Sequence, residues 1–92
     1  MERIRVAVKI EGMVQGVGFR YFTIRTARSL DLTGWVRNRP DGAVEAVIEG
    51  PRPEVESALS ALRQGPSGSR VDRLDIEHLD YRDEFDGFEV RF

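Results

Sequence analysis

Ile4-Arg5-Val6-Ala7-Val8-Lys9-Ile10-Glu11-Gly12-Met13-Val14-Gln15-Gly16-Val17-Gly18-Phe19-Arg20 changes its rhythm part-way along. Ile4, Val6, Val8 and Ile10 alternate with Arg5, Ala7, Lys9 and Glu11, which is the period-two pattern of a strand with one buried face. Glycine then punctuates the chain from Gly12 to Gly18. Beyond it Phe19, Phe22, Thr26, Ala27 and Leu30 recur at spacings of three and four, the apolar stripe of a helix. A glycine-rich loop thus joins a first strand to a first helix.

The rest of the order follows outward from that unit. Leu32 to Asn38 reads as a second strand, and Arg39-Pro40-Asp41-Gly42 supplies turn chemistry before Val44, Ala46 and Ile48 alternate with Glu45, Val47 and Glu49. Gly50-Pro51 breaks that third strand. Val55, Ala58, Leu59 and Leu62 then fall on one helical face, with Glu54 and Glu56 near the positive N-terminal end and Gly65-Pro66 as a stop. Val71 to Leu79, carrying Leu74 and Ile76, predicts a fourth strand, and Phe88, Val90 and Phe92 a short last one. The acidic stretch Arg82 to Asp86 reads as a solvated connection. The order βαββαβ with an appended strand predicts an α+β, ferredoxin-like sandwich over residues 1–92: one domain, two helices on one face of an antiparallel sheet.

At 92 residues, with 40% apolar and 33% charged side chains, the chain has the size and composition of one soluble globular domain. Its 14 basic and 16 acidic residues leave a formal charge of −2, which provides no overall positive field for a phosphate backbone or an anionic membrane. There is no cysteine, so thiolate chemistry and cysteine-ligated zinc are excluded, and His78 is the only histidine. No run approaches the about 20 apolar residues of a membrane span. A cytoplasmic monomer without cofactor, metal, nucleic-acid or membrane partner is the expectation.

Chemistry concentrates where the first strand meets the first helix. Glycines let the backbone curl so that successive N–H groups converge on one anion, and a helix N-terminus adds unsatisfied donors and a positive dipole end. Arg20, in the first turn, can add a forked, charged pair of hydrogen bonds. Spacing alone is equally compatible with a tight turn at Gly16 and Gly18 beside an Arg20 surface ion pair. Asn38, just before Arg-Pro-Asp-Gly, reads on position alone as a turn-starting residue.

The wording of two segments goes further. Gly12-Met13-Val14-Gln15-Gly16-Val17-Gly18-Phe19-Arg20 resembles the signature loop of acylphosphatases, and Gly34-Trp35-Val36-Arg37-Asn38, followed by Asp41-Gly42 and Val44-Glu45, is similar to their second signature. The ending Phe88-Glu89-Val90-Arg91-Phe92 also fits, so the resemblance covers nearly the whole chain. It implies a metal-independent hydrolase of acyl phosphates. Backbone amides of Gln15, Gly16, Val17, Gly18, Phe19 and Arg20 would cradle the phosphate, the Arg20 guanidinium would bind its oxygens, and Asn38 would orient the attacking water. Inorganic phosphate would be both product and competing ligand. Asp31-Leu32 departs from the family's usual Gly-Leu after the first helix; aspartate tolerates a left-handed turn less readily than glycine.

The remaining candidates carry quieter expectations. Trp35 is expected in the core, His78 is assigned no role, and Glu45, Glu49 and the acids at 83–86 are read as solvated surface rather than a metal site. Two non-catalytic alternatives share the element order: a module that senses a phosphate or carboxylate, and an RNA-recognition domain, whose stacking aromatics are replaced here by Glu45, Val47 and Glu49. A third alternative is the acylphosphatase-like part of a larger hydrogenase-maturation protein acting on carbamoyl phosphate; closure at Phe92 favours a free-standing enzyme.

Overall fold

In a computed structural model describing residues 1–92, the alternation at the start of the chain becomes β1, Arg3–Met13, with Ile4, Val6, Val8 and Ile10 all buried. α1 (Phe19–Ser29), β2 (Thr33–Asn38), β3 (Val44–Pro51), α2 (Arg52–Gln64), β4 (Arg70–Leu79) and β5 (Phe88–Val90) follow. The sheet order is β4-β1-β3-β2-β5. β1 pairs antiparallel with β3 and β4, and β2 antiparallel with β3, which is the expected four-stranded arrangement. β5 lies parallel to β2, matching Gly34 with Phe88 and Val36 with Val90, so the appended strand makes the sheet mixed.

Register places Val6 opposite Ile48, Val8 opposite Ala46, and Ile10 opposite Val44. These side chains meet Phe19 and Ala27 of α1 and Val55, Ala58, Leu59 and Leu62 of α2 in one core. Burying each larger aliphatic side chain stabilises the fold by about 1.5–3 kcal/mol. The α2 stripe is the one the spacing predicts. In α1 the fully buried residues are Phe19, Thr23 and Ala27, four apart, with Phe22, Ile24 and Leu30 packed beside them. Thr23 is tolerated there because its hydroxyl donates to the Phe19 carbonyl at 2.9 Å.

The other face of the sheet corrects three expectations. Trp35 is half-buried on that face rather than in the core, beneath the guanidinium groups of Arg37 and Arg91 at 5.8 and 4.8 Å. Glu49 is not solvated surface: it is 1% exposed, ion-paired with Arg5 at 3.2 Å, and accepts the Arg82 N–H at 2.8 Å. The stretch Arg82 to Asp86 is more than a solvated connection, since Phe85 sits under Arg5 and Glu84 pairs with Arg5 at 2.6 Å. Burial opposes the Arg5 charge, but hydrogen bonds to Glu84 and Glu49 outweigh it and hold the guanidinium above its ordinary range. Glu45 is engaged as well, by Arg37 and Arg39. His78 is exposed on β4.

Candidate active site

Between β1 and α1 the backbone alternates its handedness. Gly16 and Gly18 have φ of +77° and +76°, while Val17 between them stays on the negative side. Such alternation turns successive N–H groups toward one side, the geometry of an anion nest. A Cβ at either glycine would meet nothing within 4 Å, so glycine is required here by the backbone conformation and not by crowding.

Gly18 is also the residue that starts α1, whose first internal bond runs from the Phe22 N–H to the Gly18 carbonyl at 3.0 Å. No side chain caps this end, and no acid stands in its first turn. The amides of Gln15, Gly16, Val17, Gly18, Phe19 and Arg20 donate to no carbonyl or side chain of the protein outside regular structure. Six donors left open beside a helix N-terminus constitute a strong local positive potential.

Arg20 and Asn38 line the same cavity of about 300 Å³, together with Gly16, Gly18 and Phe19. Asn38 arrives there because it is the last residue of β2, paired with Val44, at the end of the sheet where the β1–α1 loop emerges. Its side-chain amide has no hydrogen-bond partner within the protein. The Arg20 guanidinium makes no ion pair; its neighbour is the ring of Phe92, 5.7 Å from the guanidinium carbon. Tyr21, Ile24, Val90 and Phe92 form the apolar side of the cavity, and no acidic side chain or imidazole lines it. Tyr21 and Phe92 are exposed at its mouth; Phe92, expected at the end of the last strand, lies two residues beyond it, and the contribution of both to the cavity was not read from the sequence.

An open anion nest, one unpaired arginine and one free carboxamide in a single cavity suit a small phosphorylated ligand, and the kinship of the chain agrees. The acylphosphatase family model matches residues 6–90. The chain belongs to the acylphosphatase family. It is 59% identical over 92 residues to the acylphosphatase of Syntrophotalea carbinolica, covering all of both chains, and 52% identical over 87 residues to that of Salinibacter ruber, covering 95% of this chain and 92% of that one. Among solved structures, the acylphosphatase of Bacillus subtilis superposes with a TM-score of 0.94 at 34% identity, covering 97% of this chain and 99% of that one. Full-length HypF, in a phosphate- and nucleotide-bound form, superposes at 0.91 and 26% identity, but the matched part is 12% of that chain. Acylphosphatases are hydrolases acting on acid anhydrides, with small-molecule acyl phosphates as substrates. No helix of the chain is long and apolar enough to cross a membrane.

Proposed function

We propose that this chain hydrolyses acyl phosphates by direct in-line attack of water on phosphorus, with the amides of residues 15–20 and the Arg20 guanidinium holding the phosphoryl group and Asn38 holding the water. The observation that carries this reading is the meeting of Arg20 and Asn38, 18 positions apart, in one cavity beside unpartnered amides.

Phosphoryl transfer asks chiefly for alignment and for donors facing the charge on the non-bridging oxygens. The nest and Arg20 supply those donors. A carboxylate leaving group has a conjugate acid of pKa about 4 and departs without a proton from the enzyme, so the lack of an acid in the cavity is no obstacle. The water's oxygen bonds to phosphorus as the bond from phosphorus to the acyl oxygen breaks. Its proton goes to solvent or to the substrate phosphate, because the neutral Asn38 amide is too weak a base to take it. The products are a carboxylate and inorganic phosphate, which competes for the same cradle. All the groups named come from one chain, so a single copy suffices.

Asn38→Ala tests the division of labour. Turnover of benzoyl phosphate is expected to fall by roughly 10²-fold, the scale for losing one positioned polar group, while inhibition by phosphate persists. A variant with full turnover and a lowered Tm would return Asn38 to the role of a turn residue. Tight phosphate binding by the unaltered protein with no turnover would make the chain an anion-sensing module instead.

A further inference from the structure

We infer that the Gln15 side chain is a positioning residue, an amide staple that holds the phosphate cradle at a fixed distance from Asn38. The inference rests on the reading of Asn38 proposed above. Gln15 Nε2 donates to two carbonyls at once, that of Arg39 at 2.8 Å and that of Ala43 at 2.9 Å. These are the two ends of the turn that begins one residue after Asn38; Ala43 also accepts the Arg39 N–H at 2.8 Å.

No other hydrogen bond joins the segment 14–18 to the turn 39–43. β1 leaves β3 at the pair Ile10 and Val44, and its last residues, Gly12 and Met13, pair with β4 alone. From there to the start of α1, Val14 is buried in the core and Val17 packs against it, which seats the loop on the core, while its hydrogen bonds to the strand end that carries Asn38 come from the Gln15 amide.

The far side of the staple is itself braced. Asp41 accepts the Ala43 N–H at 3.1 Å, and Arg39 bridges Asp41 and Glu45, each at 3.2 Å. The Ala43 N–H, with Arg39 and Lys9 adding to it against some burial, holds the Asp41 carboxyl below its ordinary range, so the brace stays charged at neutral pH. Gln15 therefore ties a pliable glycine loop to a stiff tip. The requirement it meets is geometric, because a misplacement of about 1 Å between nucleophile and reacting centre costs about 10²-fold in rate.

Two variants, alone and with Asn38→Ala, test the staple. Gln15→Met keeps the length and loses both donors; Gln15→Asn keeps the amide but falls one methylene short. With benzoyl phosphate, Gln15→Met is expected to lower kcat by about tenfold, with inhibition by inorganic phosphate changed by less than about threefold, and Gln15→Asn to fall between it and the unaltered protein. Combined with Asn38→Ala, Gln15→Met should cost nothing further, since coupled residues are non-additive. Normal kcat in folded Gln15→Met, or effects of the two substitutions that multiply, overturns the staple while leaving Asn38 its role. Should Gln15→Met fold poorly, Gln15→Asn and its combination with Asn38→Ala decide by the same two criteria. Full turnover in Asn38→Ala alone overturns both readings together.

Discussion

The two ends of α1 are built on opposite terms. At the start, Gly18 is left-handed, nothing caps the first turn, no acid faces the dipole, and the only charge there is Arg20, of the same sign as the dipole end. At the finish the Leu30 N–H donates to Ala27, that of Asp31 to Arg28 at 3.1 Å, and that of Leu32 back to Ala27 at 2.9 Å, a Schellman closure. Arg28 in the last turn complements the negative dipole end and also donates to the Phe88 carbonyl at 3.1 Å. α2 has no side-chain cap either, but it carries Glu54 in its own first turn, where the acid faces the positive dipole end. A helix start is cheaply stabilised by one side-chain oxygen, worth about 1 kcal/mol. Leaving that stabilisation out keeps the positive end of α1 available to a ligand, whereas the finish is complete without one.

Arg20→Lys attacks the open end most severely. Lysine keeps the charge and loses the planar fork, so kcat/KM for benzoyl phosphate is expected to fall roughly 10³-fold with phosphate inhibition weakened and Tm little changed. Near-normal kinetics in a well-folded protein would remove Arg20 from the site. Gly18→Ala is the milder break: no atom obstructs the new methyl, but an L-residue in the left-handed region costs about 1–2 kcal/mol. Relaxing that strain rotates the first-turn amides, and a loss of about tenfold in kcat/KM is expected, since 1.36 kcal/mol corresponds to tenfold. A drop in Tm with kinetics untouched would reduce Gly18 to a turn residue.

How much of this could be read beforehand depends on which groups make the contacts. The α2 face, Val55, Ala58, Leu59 and Leu62, was legible because apolar spacing reports burial directly. Alternation along β2 and β3 says which residues share a face, but not whether a polar segment covers it. That is why Glu49 reads as solvated surface and Trp35 as core: the cover over Glu49 is the acidic stretch around Phe85, whose single aromatic is the only hint, and the groups over Trp35 are the guanidinium groups of Arg37 and Arg91. Thr23 was overlooked because its hydroxyl is satisfied within its own helix. At the site, Arg20 and Asn38 stood out through their motifs. The Gln15 side chain did not, since its partners are main-chain carbonyls, which every residue possesses.

Asp31→Gly sharpens the comparison from the closed end, and it carries the smallest effect. Asp31 holds φ of +55° at the position following the last helical residue and its cap, a conformation that glycine adopts without strain, and its side chain is exposed. Glycine relieves the left-handed penalty but makes the unfolded chain more flexible, so the net gain is expected at about 0.5 kcal/mol. For a domain of this size that raises Tm by about 2–4 °C. Because the Schellman bonds use only backbone groups, they survive the substitution, and the start of the helix lies three turns away. Turnover and phosphate inhibition should therefore be unchanged, as measured beside Tm on one preparation. A fall in Tm would mean that the Asp31 carboxylate contributes more than its backbone strain removes. A change in kcat with Tm constant would be more damaging, since it would couple the closed end of α1 to the open one and undo the separation of stability from function along this helix.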